Sequence, residues 1–414
     1  MFMKLLPIWA GYVLMTQTGS AGDWPQFLGP TRNGIYSGPA LAATWPKDGP
    51  RVVWQKPVGN GFSAPVIARG RLILFHRLEN KEVVESLDPA TGNEQWRFDY
   101  PTAYEDDFGF DPGPRATPCV ADGKVYTFGA EGMLHCLDLE SGKKIWSVNT
   151  KSDFQAPKGF FGIACSPLVE GNAVLLNVGG VDGAGIVAFD KVTGHVLWKT
   201  SNDAASYSAP VATTIDGKRC VLFLTRRAFV GVEPATGKID FEYPFRPSIS
   251  ESVTAATPVV ADDLVFISAS YGAGAAVLSL KSGQPKKVWS GDDILSNHYA
   301  TSVYRDGFLY GIDGRTDPGY QPTLRCVELK TGKMKWQDDS VGAATITLAG
   351  DQLLILTEKG ELIRAAADPG KFKANARAQI LPTQVRAYPA LADGFLYARS
   401  KDKLMCVNLG TNSQ

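Results

Sequence analysis

One short pattern, repeated along the chain, limits what this sequence can fold into more than any other feature. It is an acidic residue, three intervening positions and a glycine, with an aromatic residue a few positions on. Copies occur at Asp88-Pro-Ala-Thr-Gly92, Asp138-Leu-Glu-Ser-Gly142, Asp190-Lys-Val-Thr-Gly194, Glu233-Pro-Ala-Thr-Gly237 and Glu328-Leu-Lys-Thr-Gly332, with a looser copy at Ser282-Gly283. The chemistry suits a tight hairpin, in which the acidic side chain caps the turn and glycine takes the positive-φ position. The copies lead into Trp96, Trp146, Trp198, Phe241, Trp289 and Trp336, and Trp54 occupies a similar place before the first. Self-similarity at a fixed period marks a repeat architecture.

A second mark lies upstream in each unit: a small residue and proline, then a short apolar strand and an Asp-Gly-like turn, as in Thr117-Pro118-Cys-Val-Ala-Asp122-Gly123 and Tyr388-Pro389-Ala-Leu-Ala-Asp393-Gly394. Three strands, two hairpins and an outer strand bearing the tryptophan make a four-stranded antiparallel sheet of roughly 45 residues, the size of a propeller blade. The proline-equivalent positions are Pro65, Pro118, Pro167, Pro210, Pro258, Ser302, Ile346 and Pro389, which predicts an all-β, eight-bladed β-propeller. The last unit stops at Met405-Cys-Val-Asn-Leu409 without an outer strand, while Arg51-Val-Val-Trp54 precedes the first complete blade. The strand around Trp54 is therefore expected to complete the C-terminal blade, because an open blade would leave a sheet edge unpaired. The 43 glycines and 26 prolines in 414 residues agree with one turn-rich body. Lys373 to Ile380 carries helix-friendly residues and is expected as a short helix in the seventh blade.

The Asp-x-x-Thr-Gly-Lys-x-x-Trp unit resembles the pyrroloquinoline-quinone (PQQ) repeat of quinoprotein alcohol dehydrogenases and of BamB-like outer-membrane-assembly lipoproteins, from about Trp54 to Leu409. Asp23-Trp24-Pro-Gln-Phe27-Leu-Gly-Pro-Thr-Arg-Asn-Gly34, Gly159-Phe-Phe-Gly-Ile-Ala-Cys165-Ser-Pro and Leu309-Tyr-Gly-Ile-Asp313-Gly-Arg315 look similar to exported PQQ-like propellers. For an enzyme of this family the resemblance implies PQQ in the channel with calcium, a catalytic Asp and usually a vicinal disulfide. No Cys-Cys pair occurs here, and the only scattered oxygen donors that suggest calcium are Glu251, Asn297 and Asp313. Fold alone does not decide activity.

The N-terminus reads Met1-Phe-Met-Lys4, an apolar run from Leu5 to Met15 and small residues before Gly22, a secretory signal with cleavage expected after Ala21. The run is shorter than the roughly 20 residues that span a bilayer, and no cysteine near the cleavage point would take a lipid anchor. The mature chain is thus expected in the periplasm or outside the cell, with no transmembrane segment. Residues 22–50 read as an arm packing on the propeller through Trp24, Phe27, Pro30 and Trp45, and residues 51–414 as the propeller. Forty-two basic and forty-two acidic residues leave no field to attract nucleic acid. Cys136, Cys326 and Cys406 recur at one place in three similar segments, which favours small core residues, and no disulfide is assigned. The four histidines stand singly, without zinc spacing, and no Gly-x-Ser-x-Gly elbow is present.

Propeller inner strands start at one mouth of the channel. The third residues upstream of the proline-equivalents are Phe62, Arg115, Ala164, Tyr207, Ala255, Tyr299, Ala343 and Arg386, with His298 beside Tyr299. A funnel of Phe62, Arg115, Tyr207, His298, Tyr299 and Arg386 suits a planar anionic ligand or an acidic or aromatic peptide. Alternatively the arginines pair with loop carboxylates such as Glu105, Asp106, Asp107 and Asp111. The sequence reads as an exported, monomeric, non-catalytic binding or scaffolding propeller, engaging a small anionic or aromatic ligand or an envelope protein at this mouth. The rivals are a PQQ-dependent oxidoreductase and a BamB-like assembly component.

Overall fold

The structure, a computed structural model, describes residues 22–249 and 252–411, so the expected signal peptide and Glu251 lie outside the described residues. Eight four-stranded antiparallel sheets succeed one another along the chain. Blade 1 spans Val66–Pro101, blade 2 Cys119–Asn149, blade 3 Leu168–Thr200 and blade 4 Val211–Pro244. Blade 5 spans Val259–Gly291, blade 6 Val303–Asp338 and blade 7 Ala344–Gln379. Blade 8 takes Ala390–Asn408 and gains its outer strand from Val52–Pro57, where Trp54 lies opposite Cys406, the closure expected from the split unit. Proline stops six inner ladders from extending toward the channel and serine stands at that position in blade 6, whereas Ile346 lets the inner strand of blade 7 run on from Ala344.

Each repeated turn is held as its residues dictate. Asp88 Oδ1 accepts from the backbone N–H groups of Ala90 and Thr91 at 2.9 Å and from the Thr91 hydroxyl, and Gly92 sits at φ +73°. A β-carbon on Gly92 would stand 2.8 Å from the ring of Trp54, which belongs to the preceding blade. The glycine therefore serves two ends, the left-handed turn and the seat for a neighbour's indole. The indole N–H groups of Trp54, Trp96, Trp146, Trp198, Trp289 and Trp336 each donate to a carbonyl of the following blade's turn, those of Pro89, Leu139, Lys191, Pro234, Leu329 and Asp368. In every blade the outer strand pair slips by one residue beside this position, a bulge that re-aims the aromatic side chain.

The residue opposite the aromatic on the third strand must leave room, and Ser86, Cys136, Ala188, Gly231, Val277, Cys326 and Cys406 fill that row. This explains the three similarly placed cysteines. All six cysteines are free and buried, and burial pushes the thiols of Cys136, Cys326 and Cys406 up to about 12.

Two seams depart from the rule. At the seam of blades 4 and 5, Phe241 folds back over Gly231 on its own blade, where a β-carbon would lie 2.3 Å from the ring, and nothing approaches Gly283 within 4 Å. In blade 7 the aromatic position is Ala376, opposite Arg364, whose guanidinium donates to the carbonyl of Ala42 in the arm. Leu41 and Trp45 pack there against the core that joins blades 7 and 8. The helix expected over Lys373–Ile380 is instead the strand Ala374–Gln379. Its side chains alternate between half-buried and exposed, so ladder pairing and a period of two override the helical preference of alanine.

Residues 22–50 cross one face of the ring. Trp24 bridges Ile67, Ile35–Tyr36 adds in parallel to the inner strand of blade 7, and Ala42 N–H donates to the Leu409 carbonyl at 2.7 Å. From this arm Arg32, 3% exposed, enters the channel, its guanidinium donating to the Pro210 carbonyl at 3.1 Å and to the Pro167 carbonyl.

Candidate functional site at the channel mouth

At the mouth opposite the arm's crossing, the segments that lead into the inner strands enclose a cavity of about 160 Å³. Phe62, Arg115, Tyr207, His298, Tyr299 and Arg386 all line it, as do Ala164 and Ala255, while Ala343 lines a small adjoining recess. They converge because each, apart from His298 one residue earlier, stands three residues before its inner strand's proline-equivalent, so ring symmetry brings them to one place. Other lining residues had no such signal: Phe110, Phe161, Tyr271, Thr316 and Asp317 come from loops between blades or from the hairpins of blades 5 and 6. Phe27 of the arm and Tyr388, ring centroids 5.3 Å apart and edge-on, form part of the lining where Arg32 closes the channel. The Gly159-Phe-Phe161 segment was singled out in the sequence and the aromatic pair Phe108 and Phe110 was not, and the path of neither over the mouth was legible.

Of the loop carboxylates weighed as partners for the arginines, Asp106 fills that role, 2.5 Å from Arg115. Asp107 pairs with Lys158 instead, at 2.6 Å, and Asp111 accepts from the Gly113 N–H. Glu105 offers its backbone carbonyl to Lys158. Arg386 is held by Glu358, Nε to Oε1 at 2.6 Å, and Tyr299 donates to the same oxygen at 3.0 Å. Both guanidinium groups lie over Phe62, 5.7 and 5.8 Å from its centroid, within the range of cation–π attraction.

Burial lowers His298 to about 4, with Arg386 and Arg315 adding to that effect and Asp317 opposing it. The imidazole is therefore neutral at pH 7, and its Nε2 lies 3.2 Å from the Tyr271 hydroxyl. Burial also raises Tyr271 to about 12 and pushes Tyr207 up. The Tyr207 hydroxyl accepts from the N–H groups of Phe160 and Phe161, fixing that aromatic loop.

Of the oxygen donors weighed for calcium, the two that are described, Asn297 and Asp313, are otherwise engaged. Asn297 donates to the Ile312 carbonyl and accepts from Ser302, while Asp313 accepts from Ser296 N–H at 2.7 Å and faces Arg325 at 3.1 Å. Among the described residues no group of three or more His, Cys, Asp or Glu side chains is placed to hold a metal ion. The described residues do not fit the cation that accompanies the quinone. No helix among the described residues is long and apolar enough to cross a membrane.

Comparison with known proteins agrees with the architecture. BamB from Salmonella typhimurium is 24% identical over 264 residues, 61% of this chain and 64% of that protein. The dehydrogenase subunit of a quinone-dependent alcohol dehydrogenase from Komagataeibacter europaeus is 30% identical over 133 residues, which span 30% of this chain but 18% of its own length. Among solved structures, BamB from Moraxella catarrhalis superposes with a TM-score of 0.64 at 13% identity, covering 88% of this chain and 99% of that one. The quinohemoprotein alcohol dehydrogenase of Comamonas testosteroni superposes at 0.68 with 16% identity, covering 95% and 81%. At these identities the superpositions speak for the fold alone. A family profile described as outer membrane protein assembly factor BamB matches residues 80–338, well over half the chain, and the chain belongs to that family of PQQ-like β-propellers.

Proposed function

We propose that this propeller is a non-catalytic binding protein of the cell envelope that engages its ligand at the channel mouth. The observation that carries the reading is the convergence of Phe62, Arg115, Tyr207, His298, Tyr299 and Arg386 on one cavity, with the channel closed by Arg32. Concave aromatic sites with a few convergent polar groups are the usual form of a ligand site. The oxidoreductase alternative lacks support in the donor set, since Asn297 and Asp313 are committed to structural hydrogen bonds and Arg325. Export, and with it an envelope location, rests on the leader-like residues 1–21 and on the kinship with BamB.

The test is a titration of the mature protein with PQQ, with and without calcium, followed by absorbance and melting temperature. No saturable shift is expected. Saturable, calcium-dependent stabilisation, which follows from ligand binding to the native state alone, would overturn the non-catalytic reading. A second reading, docking of an envelope protein on the same face, is favoured by the exposed Phe108 and Phe110 on the lip and by the similarity to BamB. Phe108→Ser with Phe110→Ser would then abolish partner binding while leaving small-ligand binding weakened but present.

A further inference from the structure

The mouth cavity is lined by aromatic rings and a few polar groups. Phe62, Phe110 and Phe161 line it, with Val253 and Ala255 adding apolar surface. Arg386, whose guanidinium stands over Phe62 and Phe110, lines it with Thr316, Asp317 and the neutral His298. The cavity, about 160 Å³, opens beside a hollow of about 230 Å³ that shares Phe62, Phe110 and Arg386, and it has room for one six-membered ring and a short substituent, by comparison with the roughly 150 Å³ apolar cavity that holds benzene.

The charges say what the substituent is. Arg115 is spent: its guanidinium contacts Asp106, the carbonyls of Asp111 and Gly113 and the Tyr104 hydroxyl. Arg386 is not. Its Nε is taken by Glu358 at 2.6 Å, and its remaining recorded contact is a long one, 3.5 Å from Nη2 to the Thr316 hydroxyl. A guanidinium carries five N–H donors, so Arg386 retains donors for a planar acceptor. It also sits among aromatic faces, 5.3 Å from the Phe110 centroid and 5.7 Å from that of Tyr299. In such surroundings a carboxylate that accepts from the guanidinium forms a charge-assisted, two-pronged bond. A second negative charge on the ligand would meet Asp317 on the cavity wall, whose carboxylate is shared with Arg315 at 3.3 Å, and Glu358 behind Arg386. The site thus discriminates against dianions by like-charge repulsion.

We propose that the mouth takes a monocarboxylate bearing a single aromatic ring, its carboxylate on Arg386 and its ring among Phe62, Phe110 and Phe161. The proposal rests on the reading of the mouth as a ligand site and narrows it to one chemical class. It also separates this chain from a site for a polycarboxylate quinone, because the placement of Asp317 and Glu358 opposes further negative charge.

The experiment is calorimetric titration of the mature protein with phenylacetate, with phenylacetamide as the uncharged isostere and phthalate as the dianion. Phenylacetate is expected to saturate the protein, with the amide and phthalate each at least about tenfold weaker. Arg386→Gln should remove the preference for acid over amide without lowering the melting temperature by more than a few degrees. Phe110→Ala, at a half-exposed position on the lip, should weaken acid and amide alike and keeps the test open if the Arg386 variant folds poorly. A free aromatic acid and a peptide ending in phenylalanine share this chemistry. Tighter binding of acetyl-Gly-Gly-Phe than of phenylacetate would assign the chain terminus as the source, and the reverse would assign the free acid. Equal affinity for acid and amide, or no binding of any of these probes, would overturn the proposal. That failure is distinct from failure of the non-catalytic reading, which only calcium-dependent PQQ binding brings about.

Discussion

Gly231 shows how much a single missing side chain decides. Its lack of a β-carbon lets the Phe241 ring lie back on blade 4, and Gly231→Ala, which would place a carbon 2.3 Å from that ring, is expected to destabilise the protein by about 1–3 kcal/mol in urea denaturation. Glu85 is a second such residue. It is 2% exposed and surrounded by Lys56 at 3.3 Å, Arg97 at 2.7 Å and His76 at 3.6 Å. Burial alone would raise its pKa, but His76, Lys56 and Arg97 outweigh that effect and bring it down to about 2. Because the folded value lies below the ordinary 4.5, the carboxylate contributes stability above pH 4.5 that is lost as the pH falls toward 2. Glu85→Gln is expected to lower stability by about 1–3 kcal/mol at pH 7, since it removes the charge on a buried acceptor of Arg97 and Lys56, and to flatten the acid limb of the stability profile. None of this was legible beforehand, because Glu85 sits in an unremarkable strand and its partners come from other strands. Five of the six mouth residues were legible because one offset from the proline-equivalent, applied around a ring, suffices to find them, and His298 is the neighbour of one of the five. Phe110, Phe161 and Asp317 depend on loop paths, and no repeat constrains those.

Among the elements, the outer strand with its indole is the unit that locks one blade to the next. Trp198→Phe keeps the ring but loses the bond to the Pro234 carbonyl, 3.0 Å in the native protein. It should lower stability by about 1 kcal/mol, and Trp198→Ala by about 3–5 kcal/mol, both readable from chemical denaturation. The seam of blades 4 and 5 already lacks this lock, and it leaves a cleft beside Phe241 and Gly283. The repeat announced the turns, the indoles and the closing strand in the sequence. It misled over Lys373–Ile380, where alanines suggested a helix, because the register of a strand is set by its neighbour and not by its own composition.

For the whole molecule, histidines held neutral by burial add to the response to acid. Burial holds His135, packed 4.3 Å from the Tyr100 ring, and His298 at about 4. Between pH 6.5 and 4 the unfolded chain takes up protons that the native protein refuses, so stability falls as the pH drops through that window, by on the order of 3 kcal/mol for each histidine. Melting temperature measured from pH 7 to 4 should decline, and His135→Gln should make the decline shallower. The ring itself joins residues far apart in the chain: Val52–Pro57 finds its partner only in Lys403–Asn408. A polypeptide that emerges N-terminus first therefore carries an unmatched outer strand through nearly its whole synthesis or transport, and circular closure is the last event to become possible. Loss of the final hairpin would strand two edges at once, one at each end of the chain, and turn a folding chain into material for edge-to-edge association.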